Sequence, residues 1–386
     1  MSEKLIYLDN AATTPPREEV VQEMLPFLRE AYGNPSSIYK LGREARSAVE
    51  KAREKVAFAL GGGSEEIYFT SGGTESNNIA IRGTVKNFAG KAHLITSSVE
   101  HHAVMDVCKE LEREGHEVTY LPVDVYGRVS PGDVEREIKE NTALISVMTA
   151  NNEVGTVQPV EEIGEIALSR SVPFHTDAVQ AAGNIPLEVN RLNVDLLSLS
   201  AHKFNGPKGV GALYVRKGVK ISPLYRGGAQ EKQLRPGTEN VAGIVGLGKA
   251  LELAVQELPE KAKEIARLRD RLVEGLLAQE EVFLNGHPRE RLPGNVNVSI
   301  KYIEGESLLL SLDMEGVAAS SGSACTSGSL EPSHVLTSMG LDHELAHGSV
   351  RFSLGRENTE DDITRVLEIV PRVVERLRQM SSVYKK

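Results

Sequence analysis

Three short stretches hold side chains whose chemistries fit together. Lys203 lies in "SLSAHKFNGPKG", after a strand-like run and before a Gly-Pro turn, so its amine can be held rigidly at a strand end. Asp177 closes the strand-like "VPFHTDA". In "TSGGTESNN", small residues lead into a helical segment, which places Gly73 and Thr74 where backbone N–H groups and a hydroxyl meet an anion. A Schiff-base lysine, an acid that keeps a pyridine nitrogen protonated and a set of phosphate donors are what pyridoxal-phosphate chemistry needs. Each stretch also has a plainer reading. Lys203 alone could be a solvated surface lysine, and Asp177 and Thr74 are both good helix N-caps.

The elements around these residues must bring them to one place. Between residues 64 and 215, β-branched runs alternate with helix-period segments, the pattern of a parallel sheet with crossover helices. "HLITSSVE", "ALISVMTA", "VPFHTDA", "VDLLSLS" and "GALYVR" are the strand candidates, and the polar residues follow them, at the carboxyl ends where α/β sheets place their crevice. The character changes near Pro259. There "EKAKEIARLRDRLVEGLLAQ" sets Ile265, Leu268, Leu272 and Leu276 on one helical stripe, as a connecting helix would. "NVNVSI" and "SVRFSLG" beyond it suit a smaller α+β domain. One stretch, "ASSGSACTSGSLEPSH", is rich in Ser and Gly, reads as a mobile, exposed loop and carries Cys325.

Composition narrows the classes. A chain of 386 residues, 40% hydrophobic and 25% charged, is an ordinary globular protein with more than one compact unit. No apolar run reaches the length of about 18 residues that spans a bilayer. "MSEKLIYLDNAATTPP" lacks the basic and apolar regions of a secretory signal, so a cytoplasmic location is expected. A net charge of −10 argues against direct nucleic-acid binding. Cys108 and Cys325 leave no room for a disulfide framework. Cys108 shares an apolar helical face with Val104, Val107 and Leu111 and reads as core. "HELAH" at 343–347 has the spacing of a zinc-protease pair, but Gly348 and a strand-like run cut the helix short and no third ligand is near, so no metal is expected. There is no P-loop.

As an ordered set, "YLDNAATTP", "SGGTESNN", "EHHAV", "NNEVG", "HTDAVQ", "SLSAHK", "RPGTEN", "SSGSACTSG" and "VRFSLGR" resemble the cysteine desulfurases. These form part of the class-V aminotransferase branch of fold-type-I PLP enzymes. The resemblance runs from residue 7 to residue 356. It implies an α/β fold with a mostly parallel seven-stranded sheet in a large domain, residues 16–257. Residues 1–15 and 258–386 would form the small domain, with the catalytic Cys loop at about 320–334.

Residue by residue, the resemblance implies Lys203 as the Schiff-base lysine, Asp177 as the pyridinium partner and Gln180 on the ring hydroxyl. His101 would stack on the cofactor and relay protons, with His102 a bystander. Gly73, Thr74, Ser200 and His202 match phosphate-binding positions, and Thr238 would reach the phosphate of the neighbouring subunit in a homodimer. Arg351 would grip the substrate carboxylate, aided by Asn152, which also borders the cofactor; a surface ion pair is the plainer reading of Arg351. Cys325 would take the sulfur of L-cysteine as a persulfide and hand it to an acceptor, such as an iron–sulfur scaffold or a tRNA-thiolating system. The alternatives are a selenocysteine lyase, another fold-type-I lyase or aminotransferase without sulfur relay, and a non-catalytic binding homologue, which Lys203 argues against.

Overall fold

The computed structural model describes residues 5–321, 332–381 and 384. Cys325 lies outside the described residues. After β1 (Ile6–Tyr7), helices α1 (Glu18–Arg29) and α2 (Lys40–Leu60) lead into the main sheet. Its strands are β2 (Ile67–Thr70), β3 (His93–Ser97), β4 (Glu117–Leu121), β5 (Thr142–Ser146), β6 (Phe174–Asp177), β7 (Leu196–Ser200) and β8 (Gly211–Val215). Helices α3 (Gly73–Val85), α4 (His102–Arg113), α5 (Pro131–Glu137) and α6 (Val160–Arg170) connect them. The seven strands lie in the order β2-β8-β7-β6-β5-β3-β4. Neighbours from β7 across to β4 pair in parallel, and β8 alone runs against both of its neighbours. This is the α/β, mostly parallel architecture that the alternating pattern implies.

The five strand candidates are all strands, and β3, β5, β7 and β8 are buried at every position. Covered on both faces, such strands need continuous runs rather than alternation. The sequence candidates omit β2 and β4, the two edges. The physical reason is visible in "EVTYL" of β4, four of whose five residues are only half-buried, so that no apolar run marks it.

Beyond the sheet, α7 runs unbroken from Val241 to Leu277. The sequence reading starts a connecting helix after Pro259, but the helix includes that proline. A proline inside a helix costs about 3 kcal/mol in lost hydrogen bonding and crowding. The two buried stripes of α7 offset it: Ile244, Leu247 and Leu251 pack into the core under the main sheet, and Leu268, Leu272 and Leu276 into a second core. The chain continues through β9 (Val282–Leu284), β10 (Asn295–Ile300), α8 (Gly305–Met314) and β11 (Val317–Ala318), then, after the undescribed residues, α9 (His334–Ser338), α10 (His343–His347), β12 (Ser349–Ser353) and α11 (Glu360–Met380). All of these but α9 and α10 build the second core, and α9 and α10 pack with Val99 and Val154 in a smaller cluster. β12, β10 and β9 form an antiparallel sheet, and β11 pairs in parallel with β1. "HELAH" is the five-residue α10, capped by Asp342 and ended at Gly348. Among the described residues no helix is long and apolar enough to cross a membrane.

Candidate active site at the strand ends

Ser200 ends β7, and the chain turns at once through a short 3-10 segment, Ala201–Lys203. The Lys203 amine donates to the carbonyls of Ala11 and Ala12, at 2.6 and 2.8 Å. Gln180 donates to the same Ala11 carbonyl at 2.9 Å. The loop carrying these carbonyls is tied down from the other side, because the Thr14 hydroxyl donates to His202 O at 2.9 Å and Thr13 Oγ1 lies 3.1 Å from His202 Nδ1. Burial, with the charges of Lys203 and Lys208 added, pushes the His202 imidazole down to about 4, so it is neutral at pH 7.

Asp177 is the last residue of β6 and is almost fully buried. One carboxylate oxygen accepts from the Val179 amide at 2.9 Å, the other from the Asn77 side chain at 2.6 Å. Two donors hold it as an acceptor, with lone pairs left for a third. Asn77 lies on α3, one turn after Gly73 and Thr74, so the helix that offers its N-terminal N–H groups to the cavity also orients the acid. The backbone comes in close here: a Cβ on Gly73 would meet Val179 Cγ2 at 2.6 Å.

His101 caps α4, its Nδ1 accepting from the Ala103 amide at 3.1 Å, which leaves the ring proton of the neutral form on Nε2. Burial holds its pKa below the ordinary histidine value; the Asp177 charge works against that, and Lys203 works with it. Arg351 comes from β12 on the far side and is 2% exposed. Its fork donates to Asn152 O and to Asp9 Oδ1, each at 2.8 Å, and Nε has no partner among the described residues.

These groups border one cavity of about 620 Å³. Of the residues singled out in the sequence, Gly73, Thr74, His101, Asn152, Asp177, Gln180, Ser200, His202, Lys203 and Arg351 line it. Thr238 does not; it is exposed, a few residues before α7. Cys325 is outside the described residues, and Cys108 is buried on α4, its thiol pushed up to about 12 by burial.

Three residues of the site have no signal of their own in the sequence. Asp9 and Asn77 gain their meaning only from Arg351 and Asp177. Glu100, just before His101, is fully buried, and one oxygen accepts from Ser97 Oγ at 2.7 Å and from the Met148 amide at 2.8 Å. Burial pushes its carboxyl up to about 8. An acid next to a histidine pair is the sole trace, and it does not separate this wedge between β3 and β5 from a surface carboxylate.

A helix end, a strand-end lysine, a buried acid and a guanidinium facing one cavity are groups that can hold an anion and a carboxylate. The aminotransferase class-V model matches residues 6–366. A protein named cysteine desulfurase IscS from Methanosarcina thermophila is 60% identical over 98% of this chain and 94% of its own. A solved structure described as a NifS-like protein superposes with a TM-score of 0.90 at 43% identity, covering 97% of this chain and 99% of that one. A structure of SspA in complex with cysteine gives a TM-score of 0.81 at 39% identity, over 92% of this chain and 100% of that one. A family model over nearly the whole chain, with this identity and fold similarity to the relatives, is decisive: this chain belongs to the class-V aminotransferase family.

Proposed function

We propose that this chain is a cysteine desulfurase that uses pyridoxal phosphate to take sulfur from free L-cysteine, leaving L-alanine and a persulfide on Cys325. The observation that carries the reading is the convergence of Lys203, Asp177 and Arg351 on one cavity. The residues present fit the cofactor. The α3 N-terminus, Ser200 and His202 would hold its phosphate, Asp177 its ring nitrogen and Gln180 its ring hydroxyl, and the close backbone at Gly73 leaves no side chain in the phosphate's way. Bound there, the cofactor supplies the electron sink that lets an amino acid lose its α-proton and release its sulfur.

The chain's own groups do the rest. Lys203 would hold the cofactor and, at its amine, move the substrate's α-proton. Arg351, whose side chain borders the cavity, orients the substrate carboxylate, and its hydrogen bonds to Asp9 and to Asn152 O hold the fork in place. Neutral His101, lining the cavity, would give or take a proton there. The Cys325 thiolate forms an S–S bond to the substrate sulfur as the C–S bond breaks. The electron pair of that bond stays with the three-carbon product, which takes up a proton and leaves as alanine. Thr238, exposed and outside its own chain's cavity, supports a homodimer in which it serves the partner's phosphate. The persulfide would pass to a sulfur-accepting protein such as an iron–sulfur scaffold, in the cytoplasm.

The test is mass spectrometry of the cofactor-loaded protein after cysteine and before reductant. The expected result is one added sulfur on the peptide containing Cys325, none on that of Cys108, and alanine formed in step. If Cys325→Ala makes alanine at the parent rate, the relay is wrong and an elimination enzyme is the better reading. A large preference for selenocysteine over cysteine would favour a selenocysteine lyase.

A further inference from the structure

The loop Asn151–Gly155, between β5 and α6, ties Arg351 to the elements around it. Asn151 Oδ1 accepts from the amides of Glu153 and Val154 at 2.8 and 2.9 Å, which winds the loop tightly. The Asn152 carbonyl receives Arg351 Nη1, and the Glu153 carbonyl receives the side-chain amides of Asn295 and Asn297, both at 3.1 Å. Asn297 is the β10 partner of Arg351.

The Glu153 carboxyl, on a residue only 5% exposed, turns elsewhere and accepts from the Ser333 hydroxyl. That hydroxyl already receives the α9 amides of Val335 and Leu336 at 3.1 and 3.3 Å, so its single proton is committed to Glu153. Ser320 is tied to the same place. Its backbone bridges that of Arg351, with Arg351 N donating to Ser320 O at 2.6 Å. Cys325 lies between Ser320 and Ser333 in the sequence, so the two anchors flanking it both converge on Arg351, one directly and one through Glu153.

We infer that Glu153 is a positioning residue for sulfur transfer, fixing through Ser333 one anchor of the Cys325-bearing segment against the loop that holds the Arg351 guanidinium. This rests on the desulfurase reading. Glu153 does not line the cavity; through Ser333, which follows Cys325 in the sequence, it ties that anchor to the loop whose Asn152 carbonyl holds Arg351.

The experiment measures, on cofactor-loaded protein, alanine turnover, KM for cysteine and the cofactor absorbance shift on adding cysteine. Glu153→Ala is expected to lower kcat by about tenfold or more, with KM and the absorbance shift within about twofold of the parent. Ser333→Ala should show the same split, and the double variant little further loss, because the two changes break one bond. Glu153→Gln, whose amide oxygen can still accept from Ser333, should recover most of kcat. Parent-level turnover in Glu153→Ala, or additive losses in the double variant, would overturn the inference. So would equal losses of cysteine binding and turnover. Should Glu153→Ala not fold, the contrast of Ser333→Ala with Glu153→Gln decides. Cys325→Ala run alongside keeps the two ideas apart: if it lacks turnover while Glu153→Ala is normal, only the positioning role fails, and if it keeps turnover, the desulfurase reading fails first.

Discussion

A carboxylate with two donors already in place is an oriented acid, and Asp177 has that arrangement with Val179 and Asn77. Asp177→Asn keeps the shape but cannot stabilise a protonated ring nitrogen. We expect cofactor retention with turnover reduced by about a hundredfold or more, consistent with the loss of a charge-assisted bond in a buried site. Turnover near the parent value would reduce Asp177 to a structural cap. Arg351→Lys replaces a planar fork by a point charge, so KM for cysteine should rise by roughly tenfold or more while the cofactor spectrum without substrate stays unchanged; an unchanged KM would remove Arg351 from the substrate. Lys203 and Asp177 were legible because each stands at the end of a local strand pattern. Asp9 was not, since its partner Arg351 is 342 positions away and nothing local to Asp9 announces it.

At the scale of elements, the buried strands β3, β5, β7 and β8 were readable because burial on both faces favours runs rich in aliphatic residues, whereas β6, mostly polar at His175, Thr176 and Asp177, was read from its flanking residues. The edges β2 and β4 were hidden, and so was the first half of α7, because the proline that usually punctuates a helix here lies inside one. We propose the division of the chain into 16–257 and 258–386 with 1–15 on the strength of the two cores, although the boundary falls within α7. Leu272 is fully buried in the second core. Leu272→Ala should therefore cost about 2–5 kcal/mol of unfolding free energy, read from the denaturant midpoint. A loss well under 1 kcal/mol would mean that the site collapses around the smaller side chain.

For the whole molecule, pH acts on stability through groups the site itself does not expose. His175 lies between Ser146 and Ser198, at 2.8 and 3.0 Å, and burial pushes it down to about 3. Its contribution is full above the ordinary value of 6.5 and is lost as pH falls toward 3, because the unfolded chain takes a proton that the folded one refuses. Glu100 acts in the opposite sense. With its carboxyl raised from 4.5 to about 8, its contribution is full below 4.5 and is lost as pH rises through 8. Glu100→Gln mimics the protonated acid, so Tm measured from pH 5 to 8 should lose part of its alkaline decline; an identical slope in parent and variant would show that Glu100 does not titrate in that range. The unbroken α7 has a mechanical meaning as well. A strut whose two ends are seated in different cores transmits torque, so neither half can swivel while the other stays fixed. Limited proteolysis should accordingly find no early cut between residues 241 and 277, and calorimetry should record the two halves melting in a single endotherm.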